Sequence, residues 1–185
     1  MPDDPVLRAM RAQDRRRFLP ADVVDEYQRD EPLPIGFGQT NSQPSTVARM
    51  LTLLETFQGM RVLDVGSGSG WTSAILAELG GPDTRVFAVE LVPELVERSR
   101  AVVPAHRVSV HRAEPGGVLG LPGYGPFDRI LVSAMADSMP EQLTDQLADG
   151  GVMVAPWADV MHRVRRSGGE LEVSAHDGYR FVPLR

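Results

Sequence analysis

Apolar and polar positions follow two different rhythms along this chain. Up to about residue 57 the apolar positions recur at helical spacing or scatter. From Arg61 onward they come in short solid runs broken by glycine-rich turns. In the first stretch, residues 3–17 predict a helix, with Asp3 or Asp4 as its cap and Pro5 in its first turn. A short second helix fits residues 21–28. Residues 31–39, with two prolines and two glycines, predict a loop. Val47, Met50, Leu51, Leu54 and Phe57 then mark residues 43–57 as an amphipathic helix. Asn41 or Ser42 can cap it, and Pro44 suits its start.

In the second stretch, RVLDV (61–65), RVFAVE (85–90), RVSVH (107–111), FDRILVSA (127–134) and GVMVAP (151–156) predict strands. Between them, residues 71–79, 93–103 and 140–148 predict helices, with Gly80-Gly81 and Gly150-Gly151 as C-terminal stops. HRVRR, LEVSA and YRFVPL predict short closing strands. Strands alternating with helices of about ten residues imply βαβ units. The expected class is therefore α/β: a doubly wound, mostly parallel, Rossmann-like sheet with N-terminal helices and an antiparallel edge. At 185 residues the chain fits one domain, residues 1–185, since domains run to roughly 100–200 residues.

Composition removes several chemistries. There is no cysteine, hence no disulfide, zinc-thiolate site or thiol nucleophile. All 19 basic residues are arginine, which excludes a lysine Schiff base or a P-loop lysine. A net charge of −6 argues against a nucleic-acid partner. The run Arg15-Arg16-Arg17 reads as a solvated helix face. His106, His111, His162 and His176 lack metal-ligand spacing, so no metal is expected. No apolar run approaches the ~20 residues of a membrane span. The opening MPDDPVLRAM is acidic and lacks an apolar core, unlike a secretory signal. A soluble cytoplasmic protein without a membrane partner is expected.

The sharpest local motif is Asp64-Val65-Gly66-Ser67-Gly68-Ser69-Gly70, which leaves one strand and opens a helix. Glycines there permit positive φ and close approach of a ligand, and the helix start offers free N–H groups. The spacing is GxGxG, not the GxGxxG of dinucleotide sites. A carboxylate at Asp64 repels a pyrophosphate and attracts an ammonium group. S-adenosyl-L-methionine, with its amino group and cationic sulfonium, fits that preference. Glu90 ends the next strand, where an acid accepts hydrogen bonds from ribose hydroxyls. The plainer alternative is a tight strand–helix turn with both acids solvated. Ser133 and Ala134 end a strand at the edge where doubly wound sheets bind ligands. Asp128 reads as a strand anchor, and Trp71 and Trp157 as packing.

PLPIGFGQTNSQPSTVARM (32–50) closely resembles the signature of protein-L-isoaspartate O-methyltransferases. VLDVGSGSG resembles that family's first methyltransferase motif. VFAVELVPEL, PFDRILVSA, LADGGVMVAP and RFVPL resemble further blocks in the same order, from about Val6 to Leu184. The resemblance implies a class I S-adenosylmethionine-dependent methyltransferase fold, with residues 1–57 as helical cap and substrate loop and 58–185 as cofactor-binding core. It implies methyl transfer from S-adenosyl-L-methionine to the free α-carboxylate of L-isoaspartyl residues in proteins or peptides, with S-adenosyl-L-homocysteine as product. Ser42 then becomes the active-site serine, with Thr40 beside it; capping of the helix remains the alternative role for Ser42. Gln39, Asp64, Gly66, Ser67, Gly68, Ser69, Gly70, Glu90, Leu91 and Gly116 are the implied cofactor residues. Asn41, Ser133, Ala134, Phe181 and Val182 are the implied substrate residues, with Arg180 just before that terminal block. A monomer is expected of an enzyme that must admit protein chains.

The resemblance departs at three places. Glu114-Pro115-Gly116-Gly117 stands where the family has Gly-Asp-Gly, Asn41 replaces an apolar residue, and VSAMADSMP (132–140) replaces an alanine-rich segment. These departures keep two other readings open: a methyltransferase for a different carboxylate, and a non-catalytic cofactor-binding relative.

Overall fold

The computed structural model describes residues 4–178 and 181–184. Helix α1 (Pro5–Ala12) is capped by Asp4, whose Oδ1 accepts from the N–H of Val6 at 2.8 Å and of Leu7 at 3.4 Å. The alternative cap, Asp3, lies outside the described residues. The helix predicted over 3–17 stops early. Asp14 leaves the helical conformation at φ −49 and ψ 117, and its side chain accepts from the N–H of Arg16, opening a separate 3-10 turn at Arg15–Phe18. Of the predicted helix 21–28 only one 3-10 turn exists, Val24–Glu26.

The predicted loop 31–39 holds a small hairpin, β1 (Leu33–Gly36) with β2 (Gln39–Asn41). Its turn keeps Gly36, Phe37 and Gly38 at positive φ. Helix α2 runs Pro44–Leu54, shorter than predicted, because Glu55 turns left-handed at φ 53. Phe57 therefore lies beyond the helix, beneath the Arg129 guanidinium at 4.8 Å. Neither Asn41 nor Ser42 caps α2: Gln43 holds the cap position, and Asp30 Oδ1 accepts the N–H of Ser45 at 2.8 Å from outside.

The core begins at β3 (Arg61–Val65) and runs through α3 (Trp71–Gly80), β4 (Arg85–Glu90), α4 (Pro93–Val102), β5 (Val108–Arg112) and β6 (Phe127–Val132). It closes with α5 (Glu141–Thr144), β7 (Leu147–Trp157), β8 (Val160–Ser167) and β9 (Glu170–Gly178). The sheet order is β5-β4-β3-β6-β7-β8-β9; β3 to β7 are parallel and the last two strands antiparallel. Strand β3 is buried on both faces: Val62 packs with α1 to α4, and Leu63 and Val65 pack with Phe127, Ile130 and Leu143. Asp128 Oδ2 accepts the N–H of Arg61 at 2.7 Å, tying the starts of β3 and β6 together.

The predicted helix 140–148 is a single turn, and β7 starts early, at Leu147. Gly150, at φ 74, is not a helix stop but sits within the strand, where the pairing with β6 slips. Of the predicted strand YRFVPL, Tyr179 and Arg180 lie outside the described residues. Residues 181–184 instead cross the chain at Met135, whose N–H donates to Val182 O and whose carbonyl accepts from Leu184, both at 2.7 Å.

Candidate active site

The chain goes from β3 to β4 and β5 on one side of the sheet, and returns to β6 on the other. Such a reversal leaves a crevice at the carboxyl ends of the strands. A cleft opens there, with about 1010 Å³ of atom-free space counting its mouth. Its floor is the glycine loop from β3 (Gly66, Ser67, Gly68, Ser69), together with Val89, Glu90 and Leu91 from β4 and Ser133 and Ala134 after β6. The hairpin strand β2 and the residue after it supply Gln39, Thr40, Asn41 and Ser42. The terminal crossing supplies Val182, Pro183 and Leu184.

Glu90 is only 6% exposed, and its position is fixed by backbone. Its Oε2 accepts the N–H of Gly68 at 2.8 Å; its Oε1 accepts those of Leu91 and Val92 at 2.8 and 2.9 Å. The carboxylate thus stitches the glycine loop to the end of β4. The loop itself folds over β4: the N–H groups of Gly66 and Ser67 both reach Val89 O.

Four expected site residues do not line the cleft. Asp64 lies fully buried beneath the loop; its Oδ2 accepts the hydroxyls of Thr72 at 2.9 Å and Ser73 at 2.5 Å. A direct grip on a ligand ammonium gives way to support of the loop–helix junction. Burial pushes its carboxyl up from 3.8 to about 6, against the two hydroxyl hydrogen bonds. Gly70 faces inward. A Cβ there would meet Val103 Cγ1 at 2.7 Å, so the glycine serves packing of α3 on α4. Gly116 sits outside the lining; its neighbours Glu114 and Gly117 line it instead. Phe181 packs instead against the larger of the two core clusters. The other thirteen expected residues all border the cleft. Asn41 does so with its side-chain amide already engaged, accepting from Arg15 Nε at 2.7 Å and donating to Ser69 Oγ at 3.0 Å.

Two features escaped the sequence. Arg15 is not a solvated residue but only 4% exposed. Its guanidinium donates to the carbonyls of Tyr27, Arg29, Glu31, Asn41 and Ser42 as well as to Asn41 Oδ1. It lies 5.3 Å from the centre of the Trp71 ring. Burial lowers the guanidinium to about 10, still protonated at neutral pH. The clue was Phe18, three residues on and therefore on the same face. The second feature is the segment Gly117 to Gly120, all four residues of which line the cleft. Its glycines follow β5 at the same sheet edge as the first loop.

The charge of the lining selects its ligand. Glu90 and Glu114 line the cleft, and no arginine or histidine does, among the described residues. Ser67 Oγ and Ser133 Oγ lie there buried without a hydrogen-bond partner among the described residues. Unpaired buried acceptors beside a carboxylate suit a cationic ligand with several donors and oppose a pyrophosphate. S-adenosyl-L-methionine, with an ammonium, a sulfonium and ribose hydroxyls, meets that description.

Comparison with known proteins agrees. The protein-L-isoaspartate(D-aspartate) O-methyltransferase (PCMT) family matches residues 1–185. The protein-L-isoaspartate O-methyltransferase of Anaeromyxobacter dehalogenans (strain 2CP-1) is 46% identical over 190 residues, covering 98% of this chain and 90% of that one. That of Methanococcoides burtonii is 39% identical over 187 residues, covering 98% and 92%. Among solved structures, the Plasmodium falciparum protein-L-isoaspartate O-methyltransferase in complex with S-adenosyl-L-homocysteine superposes with a TM-score of 0.85 at 25% identity, covering 100% of this chain and 92% of that one.

Proposed function

The chain belongs to the protein-L-isoaspartate(D-aspartate) O-methyltransferase family, and on that footing we propose that it methylates the free α-carboxylate of L-isoaspartyl residues in proteins and peptides, using S-adenosyl-L-methionine. The observation that carries this reading is a cleft whose charged lining residues are both carboxylates, with hydroxyls, amides and apolar side chains beside them and no cationic side chain among the described lining residues.

Bound S-adenosyl-L-methionine supplies an electrophilic methyl group: transfer to a carboxylate oxygen forms one C–O bond, breaks one C–S bond and moves no proton. The substrate carboxyl, with an ordinary value near 4, is ionised at neutral pH and needs no base. The protein's task is alignment and exclusion of water. In this reading Glu90 takes the ribose hydroxyls, and backbone carbonyls of Gly66, Ser67 and Gly68, whose N–H groups are spent on Val89 and Glu90, accept from the ligand's ammonium. Thr40 and Ser42 donate hydroxyl hydrogen bonds to the substrate carboxylate from the hairpin side, and Gln39 covers the cofactor. Val182, with Ser133 and Ala134, borders the peptide. The methyl ester then leaves the enzyme. The next backbone nitrogen displaces methanol to close a succinimide, and hydrolysis of that ring partly restores aspartate.

This reading places the enzyme in the cytoplasm as a monomer, and the net charge of −6 gives no support to a nucleic-acid partner. The test is a labelled methyl-transfer assay on an isoaspartyl peptide and its aspartyl twin. Base-labile label on the isoaspartyl peptide alone is the expected result. Equal labelling of both would replace repair with general carboxylate methylation, and label on neither would leave a cofactor-binding relative.

A further inference from the structure

Asn41 interrupts a stretch that otherwise resembles the family signature, and it is only 4% exposed. A buried amide needs partners for both of its ends. Its oxygen accepts from Arg15 and its nitrogen donates to Ser69, itself 7% exposed, in the glycine loop. One side chain therefore connects the hairpin carrying Thr40 and Ser42 to the loop beneath the cofactor. Arg15 strengthens the connection from the other side. It holds the carbonyls of Asn41 and Ser42 at 3.3 and 3.0 Å, and its guanidinium lies against Trp71, the first residue of α3. Trp71 returns an Nε1–H to Gln13 O at 2.7 Å, so the N-terminal segment and the loop–helix junction are fixed to each other twice.

From this continuous chain of contacts we infer that Asn41, held by Arg15, is a positioning residue that locks the substrate loop to the cofactor loop. An ordered cofactor loop then presents the Thr40 and Ser42 hydroxyls in register for the substrate carboxylate. An apolar side chain at position 41 cannot make either bond. Ser69 Oγ would lose its donor, and the hairpin would be free to shift against the glycine loop. In a reaction that depends on alignment, a displacement of about 1 Å can lower the rate roughly 100-fold. The inference rests on the proposed methyl transfer for its kinetic consequence, but not for the coupling between the two loops.

Two readouts separate those parts. In the first, Asn41→Leu is assayed with isoaspartyl peptide at saturating S-adenosyl-L-methionine. The expected result is a fall in kcat of at least tenfold, with KM for peptide and S-adenosyl-L-homocysteine affinity each within threefold. Ser69→Ala, which removes only the acceptor, should also lower kcat. The double variant should be no slower than the slower single one, because both remove the same bond. The second readout needs no peptide. Hydrogen exchange at residues 39–42 should slow at least fivefold when S-adenosyl-L-homocysteine binds the unaltered protein, and by less than twofold in Asn41→Leu. Unchanged kcat in Asn41→Leu, additive effects in the double variant, or equal protection in both proteins would each overturn the inference. Should Asn41→Leu fail to fold, Ser69→Ala carries both readouts. If the unaltered protein methylates no isoaspartyl peptide yet shows the protection, the functional reading falls and the coupling stands.

Discussion

Replacing Asp64 by Asn should remove a pH dependence that is built into the fold. The carboxyl is fully buried, with both local hydroxyls on Oδ2 and nothing on Oδ1. Desolvation raises it from 3.8 to about 6, and the nearby Glu90 adds to the rise. A group raised in the folded state favours folding below its unfolded value, and loses that contribution as pH climbs through its folded value. Wild-type stability should therefore decline between about pH 4 and pH 6 on account of this residue. At about 1.4 kcal/mol per pH unit, the gap between 3.8 and about 6 is worth about 3 kcal/mol. Asparagine keeps the shape and an oxygen for Thr72 and Ser73 but does not ionise. Its amide adds a fixed desolvation cost that does not vary with pH, so the quantity to follow is the difference between the proteins. Urea unfolding at pH 3, 4, 5, 6 and 7, read by tryptophan fluorescence, should show that difference moving in favour of Asp64→Asn by about 3 kcal/mol. In melting temperature this is roughly 6–12 °C for a chain of this size. A difference that stays flat with pH, or moves towards the wild type, would refute the claim that this carboxyl is held above its ordinary range.

Three further outcomes test the site. Ser42→Ala should lower kcat/KM for an isoaspartyl peptide roughly 10- to 100-fold, the loss of a hydrogen bond to a charged group. Calorimetric affinity for S-adenosyl-L-homocysteine should change less than about threefold, and a large loss there would move Ser42 out of the substrate subsite. Glu90→Gln should weaken S-adenosyl-L-homocysteine binding by roughly 10- to 100-fold, measured by the same titration; unchanged affinity would sink its assignment to the ribose. Gly70→Ala combines positive φ with a clash against Val103 and Ser99, and should destabilise by about 2–5 kcal/mol. Gly116→Ala, at positive φ but facing open space, should lose only about 1–2 kcal/mol; equal losses in urea unfolding would mean that the clash relaxes away.

The sheet and its connections were legible because solid apolar runs and glycine-marked turns report local backbone needs directly. The errors came where one signal serves two purposes. Gly150-Gly151 resembles a helix stop, yet the same positive φ lets β7 kink while it stays paired with β6. Gly70 resembles a ligand-facing glycine, but the space it leaves is taken by Val103 and Ser99, about thirty sequence positions away in no readable pattern. Asp64 stands out in the sequence by its place before the loop. Its direction was not readable, because successive strand residues alternate faces and the turn of the loop decides which side meets the ligand. Arg15 was misjudged on composition. A triplet of arginines suggests solvent, whereas the spacing from Arg15 to the buried Phe18 pointed inward.

The absence of cationic side chains from the described cleft lining also bears on rate. Methyl transfer from a sulfonium to a carboxylate brings a positive and a negative charge together and ends with a neutral ester and a neutral thioether. Charge is therefore smaller in the transition state than in the reactants. An arginine against the substrate carboxylate would hold the reactant more tightly than the transition state, and that difference opposes turnover. Hydroxyls and backbone N–H groups orient the anion with a weaker grip. The chain does contain a buried guanidinium near this site, Arg15. It is turned away from the cleft, its donors spent on backbone carbonyls and on Asn41. Its charge holds the hairpin in place, and in the proposed reaction it is the neutral Ser42 hydroxyl that is offered to the substrate. A cation placed in the lining, as in Leu184→Arg, should accordingly lower KM for an isoaspartyl peptide and lower kcat as well. A rise in kcat in that variant would contradict the charge-dispersal argument.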